Sequence, residues 1–130
     1  MRALTNRAVF CCACLVLLTG CVEHPSQYEW GSYEQLIYVS YAAPGKVPTE
    51  AQVERLEDDQ RNAIAKHKPV PPGWHAHLGY LYAQTGRIDL AEQQLIAEKT
   101  AFPESTVFVD HLLANLRATQ PPAPQPVAAP

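Results

Sequence analysis

Between residues 32 and 118 the apolar positions recur at helical spacing. In SYEQLIYVSY (32–41), Tyr33, Leu36, Ile37 and Tyr41 fall on one helical face, and Pro44 and Gly45 stop the run. In TEAQVERLEDDQRNAIAKHK (49–68) the apolar stripe is Val53, Leu56, Ala63 and Ile64. Thr49 followed by Gln52 has the spacing of a capping box, which predicts a helix start at Thr49. Acidic residues gather early in this segment and Arg61, Lys66 and Lys68 come late, an order that complements the helix dipole and solvates an outer face. The break PVPPG (69–73) follows. From Trp74 to Ser105 the pattern predicts a helical hairpin: Leu78, Tyr82 and Leu95 fill the seam, and Gly79 and Ala91 are small where the helices meet. Gly86 suits the turn, Asp89 is placed to cap the second helix with Glu92 at its third position, and Pro103 ends it. A last helix is expected around 105–117, with Phe108, Leu112, Leu113 and Leu116 inward. The expectation is an all-α fold: a small right-handed stack of antiparallel helices at 32–118.

The two ends differ from this middle. MRALTNR carries Arg2 and Arg7 and no acid, AVFCCACLVLL (8–18) is an uncharged apolar run, and TGC follows. This three-part pattern reads as a secretory signal peptide over 1–20. Its apolar run of 11 residues is too short for a bilayer-spanning helix, which needs about 20. All four cysteines lie at or before position 21. Leu18-Thr19-Gly20-Cys21 resembles the bacterial lipobox, which implies cleavage before Cys21 and acylation of its thiol and new amino group. A thiolate is the nucleophile this alkylation needs, and two or more acyl chains anchor a protein stably. Cys11, Cys12 and Cys14 then belong to a discarded leader. Val22 stands where an Asp favours inner-membrane retention in such lipoproteins, so the expected location is the outer membrane. Residues 21–31 form the lipidated start and a short polar tether. Residues 119–130, with five prolines in the last ten positions, are expected to be a disordered tail sampling extended polyproline conformations.

The stretch 74–105 carries L-G-x-x-Y at Leu78, Gly79 and Tyr82, then A-x-x-x-L at Ala91 and Leu95, then Pro103. It resembles a tetratricopeptide repeat. Trp74 stands one residue before the repeat's tryptophan position, Leu95 replaces an aromatic residue, and Glu98 falls where such repeats often carry a small side chain. No second copy occurs at that period, so the flanking helices must complete the core.

Charge and chemistry narrow the functional classes. Removing Arg2 and Arg7 with the leader leaves 8 basic and 13 acidic residues, a net −5, which gives no basis for nucleic-acid binding. His75 and His77 are two apart and point to different helix faces, and His24, His67 and His111 show no ligand spacing, so no metal site is expected. No nucleophile elbow, phosphate loop or zinc helix occurs, so neither catalytic residues nor a cofactor are assigned, and the chain reads as a non-enzyme. Tyr28, Trp30, Tyr33, Tyr38 and Tyr41 crowd beside the tether. They suit contact with a partner, cell-wall sugars or lipid headgroups; the alternative places Tyr33 and Tyr41 in the core, with Trp30 stapled against the first helix. Trp30, Tyr33, Tyr38 and Trp74 are the candidate partner-binding residues.

YEWGSYEQLIY (28–38), KPVPPGWHAHLGYLYAQTGR (68–87) and AFPESTVFVDHLL (101–113) together resemble a family of bacterial envelope lipoproteins, domain of unknown function 4810, from Tyr28 to about Leu116. That family has no established activity or catalytic residues. The resemblance implies gene neighbours that encode a lipoprotein similar to the curli secretion channel and another small lipoprotein. The expected function is therefore a lipid-anchored adaptor for a protein partner in export or surface assembly. The alternative is a lipoprotein that binds cell wall or surface polysaccharide through the N-terminal aromatics.

Overall fold

The computed structural model describes residues 25–119; the expected leader, Cys21 and the expected tail from 120 onward lie outside the described residues. Among the described residues five α-helices follow one another: α1 Tyr33–Ala42, α2 Thr49–Ala65, α3 Trp74–Gln84, α4 Ile88–Ala101 and α5 Thr106–Ala118. A 3-10 turn, Pro103–Ser105, leads into α5. Among the described residues there is no strand, so the domain is all-α as expected.

The helices share one core. Leu36 comes from α1, Val53, Leu56 and Ala63 from α2, and Trp74, Leu78, Leu81 and Tyr82 from α3. Ala91 and Leu95 of α4 and Val109, Leu113 and Leu116 of α5 complete it. Each fully buried Leu in such a core contributes about 1.5–3 kcal/mol relative to an exposed one. The closest packing joins α3 to α4. At that seam a Cβ on Gly79 would lie 3.1 Å from the Ala91 carbonyl oxygen and 3.2 Å from Leu95 Cγ, so the small residue sets the helix separation.

Helix ends follow two rules, one local and one long-range. After α3, Gly86 takes a left-handed φ of 74°. Its N–H donates to Ala83 O, and Arg87 N–H donates to Tyr82 O, which is the Schellman pattern expected of that turn. The same two bonds close α2, with His67 in the left-handed position that glycine usually takes. The N-termini differ from expectation. Pro48, not Thr49, precedes α2, and Thr49 makes no capping bond. The Gln52 side chain instead donates to Val47 O at 2.9 Å, tying α2 to the α1–α2 connection, and its Oε1 lies 3.2 Å from Ser40 Oγ of α1. Helix α4 begins at Ile88, so Asp89 lies within its first turn and its side chain does not cap it.

The start of α3 is capped from another helix. Glu98 of α4 is buried, and its carboxyl accepts from Gly73 N–H at 2.7 Å and Ala76 N–H at 3.3 Å. These are the two N–H groups a local capping box would satisfy, at the N-cap and third positions. One residue from across the hairpin does both, which explains a glutamate where a small residue was expected. Similarly, Asp59 of α2 accepts from both the N–H and the hydroxyl of Ser32, at 2.7 and 2.6 Å, and so fixes the start of α1.

Three apolar residues expected inside are outside. Ile64 is exposed because Ala63 takes the inward position, and consecutive helical residues point about 100° apart. On α5 the inward stripe is Val109, Leu113 and Leu116, so Phe108 is rotated outward and is 58% exposed. Tyr41, in the last turn of α1, is 84% exposed.

Candidate interaction groove

Phe108 and Tyr41 point outward at the same place. Together with Tyr33, Ile37, Ala76, His77, Tyr80 and Leu112 they line a groove of about 470 Å³ formed by α1, α3 and α5. Each helix presents neighbours at helical spacing: Tyr33, Ile37 and Tyr41 on α1, His77 and Tyr80 on α3, Phe108 and Leu112 on α5. No Asp, Glu, Lys or Arg is among the lining residues. Tyr80 is 56% exposed, so three aromatic side chains meet solvent here.

Behind these exposed rings lies a packed inner wall. Tyr33 stacks on Trp30 with ring centroids 6.4 Å apart and meets His77 edge-on at 6.0 Å. His77 stacks on Tyr80 at 6.4 Å. The Tyr33 hydroxyl approaches the Gly73 backbone so closely that a Cβ there would meet it at 2.8 Å. Burial raises the Tyr33 phenol above its ordinary value, and the nearby Glu98 carboxylate and Tyr41 add to the shift. Burial also holds the His77 imidazole below its ordinary value, and its Nε2 is buried with no hydrogen-bond partner. Both effects favour the neutral forms, so the wall is uncharged as well as aromatic. Ser40, at the groove edge, donates its hydroxyl to Leu36 O at 2.8 Å and so serves the helix.

The candidate residues separate. Tyr33 is a groove residue. Trp30 is partly exposed, stacked on Tyr33 and edge-on to Tyr28, with its Nε1–H donating to Ser26 Oγ at 3.1 Å. Tyr38 is exposed on α1 but does not line the groove. Trp74 corrects the expectation: it has no exposed surface, and its indole fills the core at the start of α3, out of a partner's reach. Tyr80, His77, Phe108 and Leu112 join the groove without being binding candidates from sequence. The i,i+3 pair His77–Tyr80 and the i,i+4 pair Phe108–Leu112 were visible signals, but nothing in the sequence says that these two faces converge.

His75 and His77 do diverge, as their spacing requires: His75 Nδ1 pairs with Gln94 Oε1 at 2.7 Å, while His77 joins the groove. Among the described residues no group of His, Cys, Asp and Glu is arranged to hold a metal ion, and no helix is long and apolar enough to cross a membrane. A second polar feature lies beside α2, where Tyr82 donates its hydroxyl to Glu57 at 2.7 Å under the Arg87 guanidinium. Burial and that hydrogen bond push the Tyr82 phenol up to about 12.

An all-helical domain, built on one tight hairpin and carrying an uncharged aromatic groove, is the class this architecture defines. Residues 27–112 match a domain of unknown function (DUF4810), and the chain belongs to that family. No curated protein and no solved structure matches it.

Proposed function

We propose that this is a lipid-anchored outer-membrane lipoprotein that acts as a non-catalytic adaptor, holding an envelope protein partner in the groove between α1, α3 and α5. The observation that carries this reading is the groove itself: exposed Tyr41, Tyr80 and Phe108 over an uncharged wall. Interfaces are anchored by such aromatic side chains, because large rigid rings bury much area at low entropic cost. The α3–α4 hairpin supports a tetratricopeptide-like scaffold, with Gly79 and Ala91 at the seam and Leu78, Tyr82 and Leu95 buried along it. Lipid on Cys21 would keep the domain close to the membrane, since the four residues from Cys21 to Pro25 reach at most about 14 Å. The partner to try first is the channel-type lipoprotein that the family's gene neighbourhood implies.

Crosslinking and pull-down of the native lipoprotein from its envelope test the reading. Recovery of a lipoprotein partner, lost in Tyr80→Ser with Phe108→Ser while the melting temperature holds, is the expected result. Sedimentation with purified cell wall, abolished by Trp30→Ala in a folded protein, would instead favour the polysaccharide binder. Turnover of a cell-wall substrate by the purified protein would overturn the non-catalytic reading.

A further inference from the structure

The groove needs an occupant with matching chemistry. It offers flat rings and the phenol hydroxyls of Tyr33, Tyr41 and Tyr80, and no charged side chain. Aromatic-lined grooves of this kind take extended proline-rich segments, whose rings pack between the aromatics and whose conformation carries little entropy to lose. Proline has no N–H and leaves carbonyl oxygens free, so hydroxyl donors suit it.

The chain itself carries such a segment. Residues 120–130, QPPAPQPVAAP, have five prolines and no charged side chain. They follow directly on α5, the helix that contributes Phe108 and Leu112 to the groove. From Ala118 back to Phe108 is about 15 Å along the helix. Eleven residues in polyproline geometry span about 34 Å, enough to reverse direction and run the length of the groove. A short tether also gives an effective concentration in the millimolar range, so a contact too weak to hold two free molecules together is populated within one chain.

From this we infer that residues 120–130 dock into the groove of their own chain and occupy it until a partner displaces them. The inference rests on the groove being the interaction site proposed above, and deepens that reading into a regulated one.

Photocrosslinking of the full chain, extracted from membranes in detergent, tests this. A benzophenone side chain replaces Tyr80, which lies on α3, remote in sequence from the tail. A second protein carries it at Val107, which is 83% exposed and does not line the groove. Trypsin cleavage after Arg117 releases residues 118–130 as one peptide for mass spectrometry. The expected product has monomer mass and joins that peptide to position 80, at least about fivefold above the Val107 control. Replacing Pro121, Pro122 and Pro124 together by Ser should lower it about fivefold. A tail crosslink no stronger than the control overturns the inference, as does one insensitive to the proline changes. Tail crosslinks at dimer mass identify a second copy as the donor and overturn docking within one chain. None of these outcomes touches the adaptor reading, which stands or falls on partner capture by the groove variants.

Discussion

Replacing Glu98 by Gln exchanges one oxygen for an NH2 group and should reveal how the hairpin is held. The Glu98 carboxyl accepts from Gly73 N–H and Ala76 N–H, at 2.7 and 3.3 Å, in a site only 2% exposed. Glutamine has one acceptor oxygen in place of two, so one buried N–H loses its partner and faces an NH2 group instead. An unsatisfied buried N–H costs about 1–3 kcal/mol. In a domain of this size 1 kcal/mol lowers the melting temperature by about 4–8 °C. Taking roughly 2 kcal/mol, Glu98→Gln should therefore melt about 8–16 °C below the parent. Glu98→Ala removes both acceptors and leaves a void, at roughly twice the cost. Against a total stability of about 5–15 kcal/mol that is a large share, and this variant should melt well below Glu98→Gln. Thermal melts and urea titrations followed by far-ultraviolet circular dichroism measure both. A Gln variant melting within about 1 °C of the parent would refute the capping argument, because losing a partner at a buried N–H is expected to cost several degrees.

Three further outcomes are expected. Gly79→Leu should lose about 1–3 kcal/mol or more by overpacking, because the seam has backbone within 3.1 Å of the new Cβ; an unchanged melt would remove Gly79 from the seam. Burial holds His77 below its ordinary value of 6.5, so below that pH the unfolded chain binds more protons than the folded one. The stability due to neutral His77 is present above 6.5, is lost as pH falls through the folded-state value, and levels off below it; melts of the parent and His77→Phe that run parallel from pH 8 to 5 would contradict this. Mass spectrometry of membrane-extracted protein should find chains beginning at lipidated Cys21, and Cys21→Ser should accumulate uncleaved precursor; unmodified Cys21 in soluble periplasmic protein would sink the anchor.

Helix existence, order and approximate bounds were legible in the chain because each signal is local. Apolar spacing over two or three turns marks a helix, and PVPPG and Gly86 mark the breaks. The small residues of the hairpin were legible too: Gly79 and Ala91 lie where the α3–α4 seam needs them. Caps are less legible than helices. A capping box is a local pattern, present in spacing at Thr49–Gln52 and Asp89–Glu92, whereas the cap on α3 comes from Glu98, more than twenty residues away.

What the chain determined by itself, then, is a run of amphipathic helices with a tight hairpin at its centre, since propensity and periodicity act within a few residues. Which flank of each stripe turns inward was decided by packing. A helix rotates until its best stripe is covered, which took Val109 in and left Phe108 out, and took Ala63 in and left Ile64 out. The same contest closed Trp74 into the core and brought Tyr41, Tyr80 and Phe108 around one groove. Those three residues lie on three helices, and a surface shared by three helices exists only once their relative positions are set.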